Sequence, residues 1–263
     1  MQFVSLFSGS SGNSAYVGSN NTHLLVDVGV SNKRIEGELN RLELKGKDIN
    51  GVFLTHEHSD HIQGLEVFVR KNQVPVYASR GTLEALRESR KFDRILEFFC
   101  PITPGQQVEV GDLCVYSFSI DHDAREPLGF RIEGEKKIGV ATDLGQFTPE
   151  IVRELSGLDA LLVEANHDVR MLETGPYPYS LKRRILSKKG HLSNENAGRL
   201  ICSILHEKIK KIFLGHLSAE NNLPQLALES VRCEIFEMGG GFSPDDFDIE
   251  VAKREGLSSL CRL

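Results

Sequence analysis

Three imidazoles and a carboxylate fall within six residues of this chain: His56, His58, Asp60 and His61. They follow an apolar run, Val52–Thr55, that reads as a β-strand. In extended chain alternate side chains share a face, so His56 and His58 can converge on one ion. A helix opening at Ser59 or Asp60 redirects Asp60 and His61 towards a second. Such donors suit a borderline divalent metal: zinc, manganese or iron. With nine histidines in 263 residues, three at this spacing behind a strand are hard to read as an accidental polar loop. Four ligands do not complete two sites. His122, Asp143 and His216 each stand just past a later β run, where α/β sites gather. Each alone is more readily a turn residue or helix cap (Asp143) or a partly buried histidine (His122, His216); in this order after the first motif they read as ligands.

The elements that position these residues alternate along the chain. Strands are expected at His23–Val28, Val52–Thr55, Cys114–Phe118, Lys137–Ala141, Leu161–Glu164 and Ile212–Gly215. A helix capped by Ser193 carries Ala197, Leu200, Ile201, Ile204 and Leu205 at helical spacing. Another, from Ser59 or Asp60, buries Ile62, Leu65, Phe68 and Val69. Glycines cluster at Ser8–Asn13 and Gly239–Gly241, and no linker-like or highly charged stretch divides the chain, so residues 1–263 read as one α/β domain.

Composition bounds the function. Hydrophobic residues at 40% and charged residues at 26% are enough to build a buried core, which excludes disorder as the default. No apolar stretch approaches the ~18–20 residues of a membrane span, and Met1–Ser5 shows no secretory signal; a cytoplasmic protein without membrane association is expected. Five scattered cysteines without a Cys-x-x-Cys pair argue against a disulfide framework or a zinc knuckle. A net charge of −6 does not advertise nucleic-acid binding, but bound cations offset acidic ligands locally and leave a phosphodiester substrate open.

The order His-x-His-x-Asp-His, then His, Asp and His, resembles the metallo-β-lactamase superfamily, and within it the YycJ/WalJ branch of bacterial DNA 5′-exonucleases. The matching segments are Ser8–Ser14, His56–His61, His122-Asp123-Ala124, Ala141-Thr142-Asp143, Glu164–Asp168, Gly190–Asn194 and His216-Leu217-Ser218, spread over nearly the whole chain. The resemblance implies a four-layer αββα sandwich with a dinuclear metal site at the edge of the two sheets. By it, His56, His58 and His122 hold one ion, Asp60, His61 and His216 the other, and Asp143 bridges them. Asp27 would orient ligands from behind, although a strand-end carboxylate can equally be satisfied by local backbone.

Two close divalent ions lower the pKa of a water between them towards ~7 and offset charge on a phosphoryl or carbonyl oxygen. No Gly-x-Ser-x-Gly nucleophile is present, so water attacks. Catalysis is expected from Asp60 together with His191 and Glu164, the latter two as a pair supplying the leaving-group proton; ribonuclease Z uses a similar Glu and His. Substrate contacts are expected from Ser10, Ser11 and Asn13 of the Gly/Ser loop, from His167, which could instead brace its loop, and from Lys182 and Arg183 of the basic run. The expected activity is a two-metal phosphodiesterase on nucleic acid, of the 5′-to-3′ DNA exonuclease type. The alternatives are hydrolysis of a small ester, thioester or cyclic phosphodiester on the same metals, and a non-catalytic metal-binding protein, against which the full ligand set argues. Oligomeric state is left open.

Overall fold

The computed structural model describes residues 1–263 as two seven-stranded mixed sheets. One contains β1 (Gln2–Phe7), β2 (Ser14–Gly18), β3 (His23–Val26), β4 (Gly51–Phe53), β5 (Val76–Ser79) and β6 (Phe99–Ile102), with the C-terminal β14 (Cys261–Arg262) beside β1. The other runs β7 (Gln107–Val110), β8 (Leu113–Ser119), β9 (Leu128–Glu133), β10 (Lys137–Ala141), β11 (Ala160–Glu164), β12 (Lys211–Gly215) and β13 (Ile249–Val251) in sequential order.

Strand alternation explains why the sheets stack. In β3, Leu24 and Val26 face the core between the sheets and Leu25 faces outward; in β11, Ala160 and Leu162 face inward and Leu161 and Val163 outward. Phe53 and Phe130 close that middle layer edge to face, with centroids 5.5 Å apart. The outward apolar residues need cover, and amphipathic helices provide it. Helices α1 (Asn32–Arg41), α3 (Leu65–Asn72) and α4 (Arg80–Glu88) cover the first sheet. Helices α5 (Pro149–Glu154), α8 (Asn194–Cys202) and α9 (Pro224–Met238) cover the second. The result is the four-layer αββα sandwich expected from the sequence. No helix is long and apolar enough to cross a membrane.

Four elements depart from the sequence expectations. The strand expected over His23–Val28 ends at Val26, because Asp27 turns into the left-handed region at φ 63°. The strand expected at Val52–Thr55 is Gly51–Phe53. The single helix expected from Ser59 is two: α2 (Ser59–Ile62), then α3 from Leu65. Gly64 between them donates its N–H to the Val28 carbonyl at 2.9 Å, and this close passage redirects the chain. Ser193 does cap α8, its hydroxyl accepting the Asn196 N–H, but that helix stops at Cys202, leaving Leu205 beyond it.

The histidine segment is seated by a second close approach. Gly29 donates to the Asn13 carbonyl and Asn13 to the Asp60 carbonyl, each at 2.8 Å. A Cβ at Gly29 would overlap the Asp60 carbonyl oxygen. Gly29→Ala should therefore lower stability by about 1–3 kcal/mol and displace the Asp60 segment. Urea denaturation with parallel metal titration checks this; unchanged stability and metal affinity would show that the contact does not seat the segment.

Candidate metal centre

Most of the functional side chains come from strand ends at one edge of the sandwich, Asp60 and His61 from α2 and His191 from the segment between α7 (Tyr179–Ile185) and α8. Thr55 and His56 follow β4, His122 follows β8, Asp143 follows β10, Glu164 ends β11 and His216 follows β12. Asp143 at φ 60° and His216 at 55°, together with Asp27 after β3 at 63°, sit in left-handed backbone. Each costs roughly 1–3 kcal/mol, which surrounding structure must offset, and such residues concentrate at functional sites.

Every expected ligand converges. The ligand atoms of His56, His58 and His122 lie within 4.8 Å of one another, as do those of Asp60, His61 and His216. Asp143 lies between the groups, with Oδ2 3.3 Å from His61 Nε2, and Oδ1 3.4 Å from His216 Nε2 and 3.9 Å from His122 Nε2. His58 Nδ1 and His122 Nε2 are 3.3 Å apart.

The proton arrangement explains what this cluster can do. His61 Nδ1–H donates to Asp27 Oδ2 at 2.7 Å, and His122 Nδ1–H to the Gly190 carbonyl at 3.1 Å. His216 Nδ1–H donates to Glu164 Oε1 at 2.8 Å. The Thr55 hydroxyl gives its hydrogen to Asp27 Oδ2, so at 3.0 Å it can only accept from His56 Nδ1–H. Four imidazoles thus have Nδ1 engaged, so that in its neutral form each carries its lone pair on Nε2. His56 Nε2 is buried without any hydrogen-bond partner, as is Asp143 Oδ2. Buried acceptors left empty cost about 1–3 kcal/mol each. A cation satisfies them, and a mixed imidazole–carboxylate donor set is what a divalent transition metal accepts.

Electrostatics agree. Burial and the neighbouring imidazoles hold His56 well below its ordinary value, in the neutral form that ligates. Burial likewise lowers His122. Burial alone would also depress His61 and His216, but Asp143, with Asp27 beside His61 and Asp60 beside His216, outweighs it. Both imidazoles are held above their ordinary value, His216 at about 10. The pocket is negative enough to hold protons where lone pairs are needed, and a divalent cation competes for the same places.

Glu164 is fully buried and held ionised: burial opposes this, but His191 and His216 prevail. Its Oε2 accepts the N–H groups of Leu144 and Leu192, both at 3.0 Å. Its Oε1 accepts from His216 and, at 2.7 Å, from His191 Nδ1. One carboxylate thereby ties a cluster imidazole to His191, whose side chain keeps 17% exposure. Burial would lower His191, yet Glu164 raises it above the ordinary histidine value, favouring a protonated ring.

The remaining expected residues divide. Asn13 is buried, its amide donating to Asp60 Oδ2 at 3.1 Å and facing His61 Nε2 at 3.2 Å. It holds the cluster's wall. Ser10 and Ser11 lie at the exposed tip of the same loop, apart from that contact. His167 is 1% exposed, with both ring nitrogens unpartnered, and burial pushes it down to about 4; it faces the interior. Lys182 and Arg183 stand on α7 (Tyr179–Ile185), Arg183 over the Tyr179 ring. The α7 end reaches the cluster directly: His191 N–H donates to the Ile185 carbonyl at 3.0 Å, and Arg184 pairs with Asp123, which lies 3.3 Å from His122 Nε2. Sequence reasoning assigned no role to Thr55, the hub joining Asp27, His56 and His61, nor to the Ser8 hydroxyl, which accepts the His216 N–H at 2.8 Å. Adjacency to the first histidine was the only available signal for Thr55.

The family described as "Beta-lactamase superfamily domain" matches residues 22–216. The chain is 40% identical to Exodeoxyribonuclease YycJ of Bacillus anthracis over 245 residues, covering 92% of this chain and 91% of that one. It is 40% identical to Exodeoxyribonuclease WalJ of Streptococcus pneumoniae, covering 84% and 83%. Among solved structures, Zn(2+)-bound PqqB from Methylobacterium extorquens superimposes with a TM-score of 0.73 at 18% identity, covering all of both chains. That likeness concerns the metallo-β-lactamase fold.

Asp27→Asn removes an anionic anchor behind His61 and should weaken divalent metal binding roughly 10- to 100-fold. Competition with a chromogenic chelator measures it; wild-type affinity would remove Asp27 from the site.

Proposed function

The chain belongs to the beta-lactamase superfamily and is a metal-dependent hydrolase; from that premise we propose a two-metal exodeoxyribonuclease, acting on DNA from the 5′ end. The observation that carries the reading is the set of inward Nε2 lone pairs around Asp143, together with the Glu164–His191 pair at 2.7 Å. The likeness to two exodeoxyribonucleases over most of the chain supports the substrate class.

In this reading His56, His58 and His122 hold one ion, Asp60, His61 and His216 the other, and Asp143 serves both; zinc and manganese suit the donors. When bound, such a pair acidifies water towards neutral pH and offsets charge on a phosphoryl group. The chain's own residues do the rest. Asp27 and Thr55 fix the rings of His61 and His56. Glu164 fixes His216 and, by accepting from His191 Nδ1, leaves Nε2–H of the protonated ring as the donor for the departing oxygen. The α7 cations Lys182 and Arg183, with Lys188 and Lys189 in the segment that leads from α7 to His191, would counter the phosphate backbone. No carboxylate occupies them in ion pairs, whereas Arg184 is spent on Asp123.

Metal-reconstituted protein should shorten 5′-phosphorylated DNA from its 5′ end, faster than matched RNA and faster than a chromogenic phosphodiester. Hydrolysis of the small substrate alone would contradict the proposal. His191→Ala should lower kcat by roughly 10²–10⁴-fold with metal content unchanged; full turnover would remove His191 from proton transfer. Replacing Arg183 and Lys188 by Gln should flatten the salt dependence of DNA binding by about 1–2 in log–log slope. An unchanged slope would take α7 out of the substrate path.

A further inference from the structure

A second basic feature lies beside the cluster, next to His216. It is a cavity of about 480 Å³ between the loop after β12 and the end of β13. That volume falls within the range of small-ligand sites, about 300–1,000 Å³. Leu217, Leu223 and Val251 form its apolar wall, and Lys253 and Arg254 its charged one. Ser8 joins it to the metal centre: its hydroxyl accepts the His216 N–H, its own N–H donates to the Lys253 carbonyl at 3.1 Å, and it lines the cavity.

Two facts call for a ligand of defined chemistry. Neither cation is neutralised. Arg254 makes one hydrogen bond, from Nη2 to the Leu217 carbonyl at 2.8 Å, and the adjacent carboxylate, Glu255, pairs with Arg34 instead. Lys253 is exposed and forms no ion pair. Beside them Leu223, a large apolar residue, keeps 55% of its surface in water. An anion next to a flat apolar body fits both walls, and a nucleotide is that combination.

We propose that this cavity is a nucleotide subsite. It takes one nucleotide unit of the substrate strand on the His216 side of the metal centre, with the phosphate on Lys253 and Arg254 and the base against Leu217, Leu223 and Val251. The assignment rests on the nucleic-acid reading above, and it gives the strand a further cationic hold beside the cluster.

The test is calorimetric titration of metal-loaded protein with thymidine 5′-monophosphate, thymidine and inorganic phosphate, at several salt concentrations. The variants are Lys253→Ala, Arg254→Gln and Arg254→Lys. The mononucleotide should bind more tightly than either fragment. Lys253→Ala and Arg254→Gln should each weaken it roughly tenfold, with Arg254→Lys restoring part of the loss. On a single-stranded oligonucleotide, Lys253→Ala should raise KM more than it lowers kcat and reduce the salt slope by about 0.7. Arg254 also braces the Leu217 carbonyl, so the exposed Lys253 gives the cleaner answer. Unchanged mononucleotide affinity and KM in Lys253→Ala, with DNA still degraded, overturn the subsite and leave the nuclease reading standing. Weakened mononucleotide binding in a protein that cleaves no nucleic acid keeps the cavity as a nucleotide site and overturns the nuclease reading.

Discussion

Carboxylates held out of water constrain everything else in this molecule. Asp27, Asp143 and Glu164 are almost entirely buried, and Asp60 stands at their open side. Removing such ions from solvent costs several kcal/mol apiece unless donors replace the lost water. Asp27 recovers its share from the Thr55 amide, the Thr55 hydroxyl and His61, and Glu164 from two amides and two imidazoles. Asp143 does not balance. Its Oδ2 makes no hydrogen bond although His61 Nε2 lies 3.3 Å away. The deficit sits at the centre of the histidines, where added positive charge relieves it most.

The two sheets solve the positioning problem in the same way. Passing from β14 to β6, the strand pairs are three antiparallel and then three parallel; from β7 to β13 the pattern repeats. Asp27 after β3 and Asp143 after β10 occupy equivalent places, each just before the first parallel neighbour and each near φ +60°. The two aspartates differ in task. Asp27 props up His61 from behind, while Asp143 faces the histidines directly.

Much of this was legible because it is written in local pattern. His56–His61 declares itself by donor type and spacing, and the apolar run His23–Val28 reads as a strand, although which of Leu24, Leu25 and Val26 faces inward is not written in it. The αββα layering and the pairing of Glu164 with His191 came through resemblance and are matched by the structure. What stayed hidden depends on contacts between distant segments. Gly64 breaks the expected helix because Val28, remote in sequence, passes against it. Asp27 leaves its strand through a backbone angle that no side-chain pattern announces. Thr55 looks like one more β-branched strand residue until Asp27 and two imidazoles surround its hydroxyl. His167, named for its chemistry, lies in the interior, because a histidine's type says nothing about which way its loop turns.

The most direct measurement of the central claim is the number of divalent ions held per chain, by elemental analysis of protein reconstituted with excess zinc or manganese and freed of loose ions. Two buried sets of lone pairs sharing Asp143 predict two equivalents. One equivalent or fewer, at full occupancy and with the chain folded, would contradict the account.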